Sequence, residues 1–183
     1  MEEPRKVIAG PVRLSYANVW EPRTNQDGKE KFSASIIIPK TETAVIAKIE
    51  KAIENAVKDG IERGKLPRGI KRGQLKLPLR DGDEERDDAA YADAYFVNAN
   101  SNTQPQIVDS AVRPILDRSE VYSGVWANVS ITFYAYDVNG NRGVAAGLGN
   151  IQKVRDDDAL GGAAAKASDE FTAITEEEDD FLS

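Results

Sequence analysis

Residues 125–136 alternate without a break. The odd positions, Val125, Ala127, Val129, Ile131, Phe133 and Ala135, are all apolar. The even positions, Trp126, Asn128, Ser130, Thr132, Tyr134 and Tyr136, all carry a polar group. A strand sends two such sets to opposite faces, so one face belongs to a core and the other presents a Trp and two Tyr among small polar residues. Asp137-Val138-Asn139-Gly140-Asn141 then turns the chain, and 143–154 returns as the hairpin partner. Gly147 and Gly149 in the return strand signal a bulge or a close backbone approach.

The remaining segments fit a sheet around that hairpin. Strand signal runs over 8–16, with Ile8, Val12, Leu14 and Tyr16 in alternating phase and Pro11 marking an edge or a bend. After the polar Asp27-Gly28 loop, 32–38 is a second strand, ended by Pro39 and expected to pair antiparallel with the first. Between Glu42 and Arg63 the period lengthens, with Val45, Ile46, Ile49, Ile53, Val57 and Ile61 at three- and four-residue steps. That is an amphipathic helix lying over the sheet. A third strand is expected over 92–99 and a short one over 106–109. Several strands and one major helix make a mainly β domain, most economically a partly open barrel.

The chain has 183 residues with no His and no Cys. Imidazole and thiolate catalysis, thiolate zinc sites and disulfides are therefore excluded. The formal charge of −7 is unevenly placed. Residues 156–183 hold ten acids and one base, and residues 1–155 hold 21 acids and 23 bases. The expected organisation is a nearly neutral binding domain over 1–155 and a flexible acidic tail over 156–183. No apolar run approaches the ~18 residues of a membrane helix and 1–6 is no signal peptide, so a soluble intracellular protein is expected.

Catalytic signals are weak. Gly60-Ile61-Glu62-Arg63-Gly64-Lys65-Leu66 has the wrong spacing for a phosphate loop, and Leu66 stands where a hydroxyl is needed. The acids between Asp81 and Asp88 lack the glycine of a Ca²⁺ loop, since Arg86 holds that place. They leave one alternative, a Mg²⁺-dependent nuclease or accessory enzyme. Otherwise no enzyme activity, cofactor or metal is expected.

Aromatic residues on a polar strand face are either covered by the helix or a loop, or form a platform on which unpaired bases stack. Trp126, Tyr134 and Tyr136 are the main candidates, with Tyr16, Trp20, Phe96 and Tyr122 as additions. Phosphates would be met by the loop 65–80, which holds Lys65, Arg68, Lys71, Arg72, Lys76 and Arg80 and no acid. Lys29, Lys31, Arg118, Arg142, Lys153 and Arg155 extend that set. Near its end the sequence places Asp179 and Asp180 directly before Phe181, a pattern suited to a basic-rimmed apolar pocket on a partner and otherwise a solubilising terminus.

The stretch 122–137, the Asn139-Gly140-Asn141-Arg142-Gly143 turn and Gly147-Leu148-Gly149-Asn150-Ile151-Gln152-Lys153-Val154-Arg155 resemble a bacteriophage family. Gly10-Pro11-Val12-Arg13-Leu14 and 32–39 extend the resemblance over most of the chain. The family was long catalogued as a domain of unknown function and is regarded as single-stranded-DNA-binding. The resemblance implies an OB-like, partly open five-stranded barrel with additional strands and a disordered acidic tail. It implies sequence-tolerant binding of single-stranded DNA in phage replication or recombination, in the cytoplasm of the infected bacterium, with duplex DNA or RNA bound more weakly. The tail would compete with DNA for the groove and dock phage or host replication proteins through Asp179, Asp180 and Phe181. A homodimer is a further expectation, and no membrane is involved.

Overall fold

The computed structural model describes residues 4–160 and 171–174. Among the described residues there are seven strands: β1 (Lys6–Thr24), β2 (Glu30–Pro39), β3 (Leu79–Asp81), β4 (Ala94–Ser101), β5 (Ile107–Val108), β6 (Trp126–Val138) and β7 (Asn141–Arg155). The long helix α1 (Thr43–Glu62) joins β2 to β3, and a single turn, α2 (Gly82–Glu85), follows β3. The sheet order is β3-β4-β2-β1-β6-β7-β5, and an additional β4–β7 pairing closes five strands into a barrel. That seam is parallel and has two residue pairs, Ala99–Ala146 and Asn100–Gly147.

Alternation fills the barrel as the sequence dictates. Ala127, Val129, Ile131 and Phe133 of β6 are fully buried and meet Val144, Ala146, Leu148 and Ile151 of β7. Helix α1 closes the barrel with Val45, Ile49, Ala52, Ile53 and Ala56. The turn between β6 and β7 uses Asn139 and Gly140, both at positive φ (53° and 85°), as a tight hairpin requires. The expected register shift in β7 also occurs, between the pairs Val129–Ile151 and Ile131–Leu148.

Strand β1 departs from the simple alternation in three places, the last of them between the pairs Asn18–Ser33 and Arg23–Lys31. One register shift, between Ala9 and Val12, lets Val7, Ala9, Val12 and Leu14 all face inward, and Ile8 is left 69% exposed. The second lies between the pairs Ser15–Ser35 and Asn18–Ser33, where Tyr16 and Ala17 oppose the single residue Ala34. Such a bulge re-aims a side chain. Tyr16 sits at φ 46° and points out, 45% exposed, rather than in phase with the apolar set.

A second, smaller cluster of Ile37, Tyr91, Ala94 and Phe96 lies on the outside of the barrel. The short helical turn Ala89–Tyr91 covers this face, and the Tyr91 hydroxyl donates to Ser35 Oγ at 2.8 Å. Phe96 is therefore buried, 1% exposed, edge-on to Tyr91 at 5.2 Å. It has no ring face to offer a base, because one turn of chain inside an acidic segment folds over it.

Candidate nucleic-acid interface

The closed barrel sets small polar residues in rows across its outer face. From the strand registers, one row is Asn18, Ser33, Asn100, Gly147 and Thr132. On the near side of the seam, Ser15, Ser35 and Asn98 are in register, with both serines buried, and beyond it Ala145 pairs with Tyr134. Asn98 and Asn100 are both exposed, although β4 is an interior strand. They lie where two clefts meet. One, about 370 Å³, is lined by Tyr16, Asn18, Arg23, Ser33 and Arg86, and the other, about 250 Å³, by Lys76, Arg80, Tyr136 and Ala145. Together they form a groove floored by Asn98 and Asn100, with Tyr16 at one end and Tyr136, and Tyr134 beside Ala145, at the other. Four interstrand steps of ~4.8 Å put these ends about 19 Å apart around the barrel.

Cations stand along both sides. Arg86 lies over three rings, 5.7 Å from Tyr16, 5.0 Å from Tyr91 and 5.2 Å from Phe96, so the outer cluster fixes its guanidinium beside the exposed tyrosine. Arg23 pairs across the hairpin with Lys31, one alternate position beyond Ser33. Lys76 is held by its backbone, which bonds to Arg142 O and Val144 N at 2.9 Å each. A Cβ on Gly143 would lie 2.3 Å from Lys76 O, so glycine there allows the basic loop to lie against β7. Arg23, Lys31, Lys76 and Arg86 carry no ion pair to another described residue. Lys65, Arg68, Lys71 and Arg72 are exposed along the same loop between α1 and Lys76, also without such a pair.

Other sequence candidates are engaged elsewhere. The Trp20 indole donates to Val121 O at 2.9 Å and packs against the core, and Arg118 pairs with Glu21 at 2.7 Å. Trp126 is eight residues from Tyr134, about 27 Å along the strand, so the two do not share one platform. Its indole donates to Asp157 Oδ2 at 2.8 Å, with Arg155 4.5 Å and Arg13 6.0 Å from the ring centroid. The Tyr122 hydroxyl lies 3.0 Å from Asp156 Oδ1 and 2.8 Å from the Asp157 carbonyl, its one proton within reach of both acceptors, and Lys153 bridges Glu120 and Asp156 at 2.6 and 2.8 Å. Arg13 donates to Asp158 O at 2.7 Å, and the Leu160 N–H donates to Ser123 O.

The start of the acidic segment is thus a strap. It runs from the Trp126 end over Arg13 to the outer cluster of Ile37, Tyr91, Ala94 and Phe96, against which Leu160 packs. Arg86 lies over two rings of that same cluster, Tyr91 and Phe96. Asp179, Asp180 and Phe181 lie outside the described residues.

The strap is titratable. The Lys153 ammonium and the Tyr122 hydroxyl hold Asp156 below its ordinary range. The Trp126 indole and the Asp158 N–H do the same for Asp157, aided by Arg13 and Arg155. A depressed carboxylate pKa favours the strapped form above the ordinary Asp value of ~3.9, and that contribution is lost as pH falls through the lowered value. In a Trp20→Phe background, Trp126 emission should be steady between pH 7 and about 5 and should shift below about 4. Constant emission down to the acid limit of the fold would show that Asp157 does not hold the indole.

Four of the six acids of 81–88 have structural partners, Glu85 through Arg80 at 3.7 Å. Asp81 and Asp83 grip Lys40 at 2.9 and 2.8 Å and raise its pKa, while Asp81 and Asp88 cap short helical turns through Asp83 N and Ala90 N. No group of three or more acids converges into a cation site among the described residues. No described helix is long and apolar enough to cross a membrane.

Sequence reasoning missed Arg23, Arg86, Asn18, Asn98 and Asn100. The two asparagines carried a signal, since 97–100 alternates apolar and polar like 125–136. The bulge that frees Tyr16 and the cluster that positions Arg86 are tertiary and left none.

Comparison with known proteins gives consistent results. A family model described as the ssDNA-binding protein of Enterobacter phage Enc34 matches residues 5–182. Putative protein p50 of Acyrthosiphon pisum secondary endosymbiont phage 1 is 30% identical over 182 residues, covering 97% of this chain and 98% of that one. The solved structure of the bacteriophage Enc34 single-stranded DNA-binding protein in complex with ssDNA superposes with a TM-score of 0.71 at 23% identity, over 86% of this chain and 88% of that one. Gp2.5, a single-stranded DNA binding protein encoded by bacteriophage T7, superposes with a TM-score of 0.59 at 14% identity, over 91% and 99% of the two chains.

Proposed function

The chain belongs to the family of the Enterobacter phage Enc34 ssDNA-binding protein, and from that membership we propose that it binds single-stranded DNA, without sequence preference, along the asparagine-floored groove. The observation that carries this reading is the coincidence of exposed rings, a floor of Asn98 and Asn100, and the cations Arg23, Lys76 and Arg86 along the same two clefts. In OB barrels the second and third strands and the flanking hairpin loops take oligonucleotides. Here those strands are β2 and β4, and the flanking hairpins are 25–29 and 139–140. Tyr16, Tyr134 and Tyr136 stack bases, while Arg23, Lys31, Lys76, Arg80 and Arg86 meet phosphates. Lys65, Arg68, Lys71 and Arg72 extend the cationic track. Trp126 and Tyr122 hold the strap rather than a base.

The protein acts without catalysis in phage replication or recombination, in the cytoplasm of the infected host. Labelled oligo-dT, incubated with and without Mg²⁺, should be bound and recovered intact. Cleavage in Mg²⁺ would instead favour the acids of 81–88.

The acidic segment competes with DNA for the groove and uses Phe181 to dock replication proteins. Leu160 packs on the same outer cluster that Arg86 overlies, which supports the competition. A tethered segment is present at ~1 mM, and a weak polyanion contact has a Kd of ~0.1 mM, so the tail should lower DNA affinity about ten-fold. Deleting 161–183 should restore that factor at low salt and little at high salt. Unchanged affinity at low salt would reduce the tail to a solubility appendage.

A further inference from the structure

A second concave site lies apart from the groove. It is an open trough of about 730 Å³ between the start of β1 and α1, within the ~300–1,000 Å³ range of ligand pockets. Pro4, Ile8 and Ala47 give it an apolar lining, and Lys6, Lys48 and Lys51 stand around it. Ile8 is 69% exposed, a large aliphatic side chain left out of the core by the first register shift of β1. Asn55, 4% exposed, lines the same trough. Its amide donates to Pro4 O at 2.7 Å, and its Oδ1 has no donor among the described residues. A buried acceptor without a partner costs ~1–3 kcal/mol, so the trough is suited to a ligand that brings an N–H as well as apolar surface and negative charge.

We infer that this trough takes the 175–183 segment of the same chain, with Phe181 and Leu182 against Ile8 and Ala47, the acids 176–180 facing Lys6, Lys48 and Lys51, and a backbone N–H of the segment on Asn55 Oδ1. The sequence of that segment, Glu176-Glu177-Glu178-Asp179-Asp180-Phe181-Leu182, supplies all three chemical requirements. The tether reaches. From Leu160 to Phe181 the r.m.s. span is about 25 Å at ~5–6 Å × √n. Arg13 holds the strap at Asp158, two residues before Leu160, and seven residues of strand from Arg13 back to Lys6 measure about 23 Å. The trough and the groove therefore share one tail, and DNA in the groove shifts the tail to the trough. This last step rests on the proposed DNA site; the docking itself does not.

The test places a benzophenone side chain at position 181 of the full-length chain, with an equal mixture of ¹⁵N-labelled and unlabelled protein. Irradiation should give cross-links concentrated in 4–8 and 47–55, and saturating oligo-dT should raise their yield at least two-fold. Ala47→Trp, which fills the trough from an exposed helical position, and the combined Lys6→Glu, Lys48→Glu and Lys51→Glu variant should each suppress them at least five-fold. Cross-links scattered over the surface, or confined to the groove with and without oligo-dT, would overturn the docking. Isotopically mixed products would assign the trough to a second copy's segment and overturn the same-chain assignment. Oligo-dT binding is followed by its own anisotropy. Failure to bind would count against the groove, while cross-links in the DNA-free chain still decide the trough.

Discussion

Replacing Tyr16 and Tyr134 together by Ala should weaken oligo-dT binding at least about 30-fold, because each stacked base contributes ~1–3 kcal/mol. The two rings are 45% and 38% exposed and lie at opposite ends of the groove. They share no contact, so their losses should add. Neither ring fills the core, and the melting temperature should change little. Trp126→Ala is the internal contrast. It removes a strap anchor, the indole bond to Asp157, and should leave affinity within a few-fold of the parent. Isothermal titration of the parent, the double variant and Trp126→Ala with one oligo-dT length would check both statements. A loss confined to Trp126→Ala would move the binding face to the strap end of the barrel.

The second large effect concerns charge. Arg23→Ala, Lys31→Ala and Arg86→Ala together remove three cations from one side of the groove. For single strands the logarithm of affinity falls by ~0.7 per phosphate contact for each decade of salt, so the slope should flatten by about 2 units. At 0.1 M salt that is about five-fold per contact and on the order of 100-fold for three. The loss should be the same for all base compositions, because phosphates carry no sequence information. Arg68→Ala, Lys71→Ala and Arg72→Ala in combination test whether the exposed loop continues the track. A slope unchanged by the first triple would show that those cations face away from the strand.

The hairpin was legible because its two determinants are local. Strict alternation over 125–136 sorts β6 into a buried and an exposed face, and Asn139-Gly140 supplies the positive φ values of the turn. Helix α1 was legible for the same reason, as period alone separates its buried side from Lys48, Glu50 and Lys51. The groove was legible only in part. Tyr134 and Tyr136 follow from the alternation, but Trp126, on the same face, is set apart by strand length and tied down by acids from far along the chain. Tyr16 reads as core in a regular strand, and a bulge opposite Ala34 turns it out. Phe96 reads as exposed or buried with equal ease until the Ala89–Tyr91 turn is seen to cover it. Arg86 sits inside an acidic run, where nothing in the sequence marks it as the cation that three rings position. The boundary drawn at residue 156 coincides with the end of β7, yet the five residues that follow pack on the body through Lys153, Trp126, Arg13 and Ser123.

The path of the strand across β1, β2, β4, β7 and β6 is the central claim, and photo-cross-linking with an oligo-dT carrying 5-iododeoxyuridine reads it directly. The full-length protein, irradiated with this probe and mapped by mass spectrometry, should yield adducts on Tyr16 and on Tyr134 or Tyr136. Adducts on Trp126 or Trp20, with none on these tyrosines, would contradict the account and place the DNA on another face of the barrel.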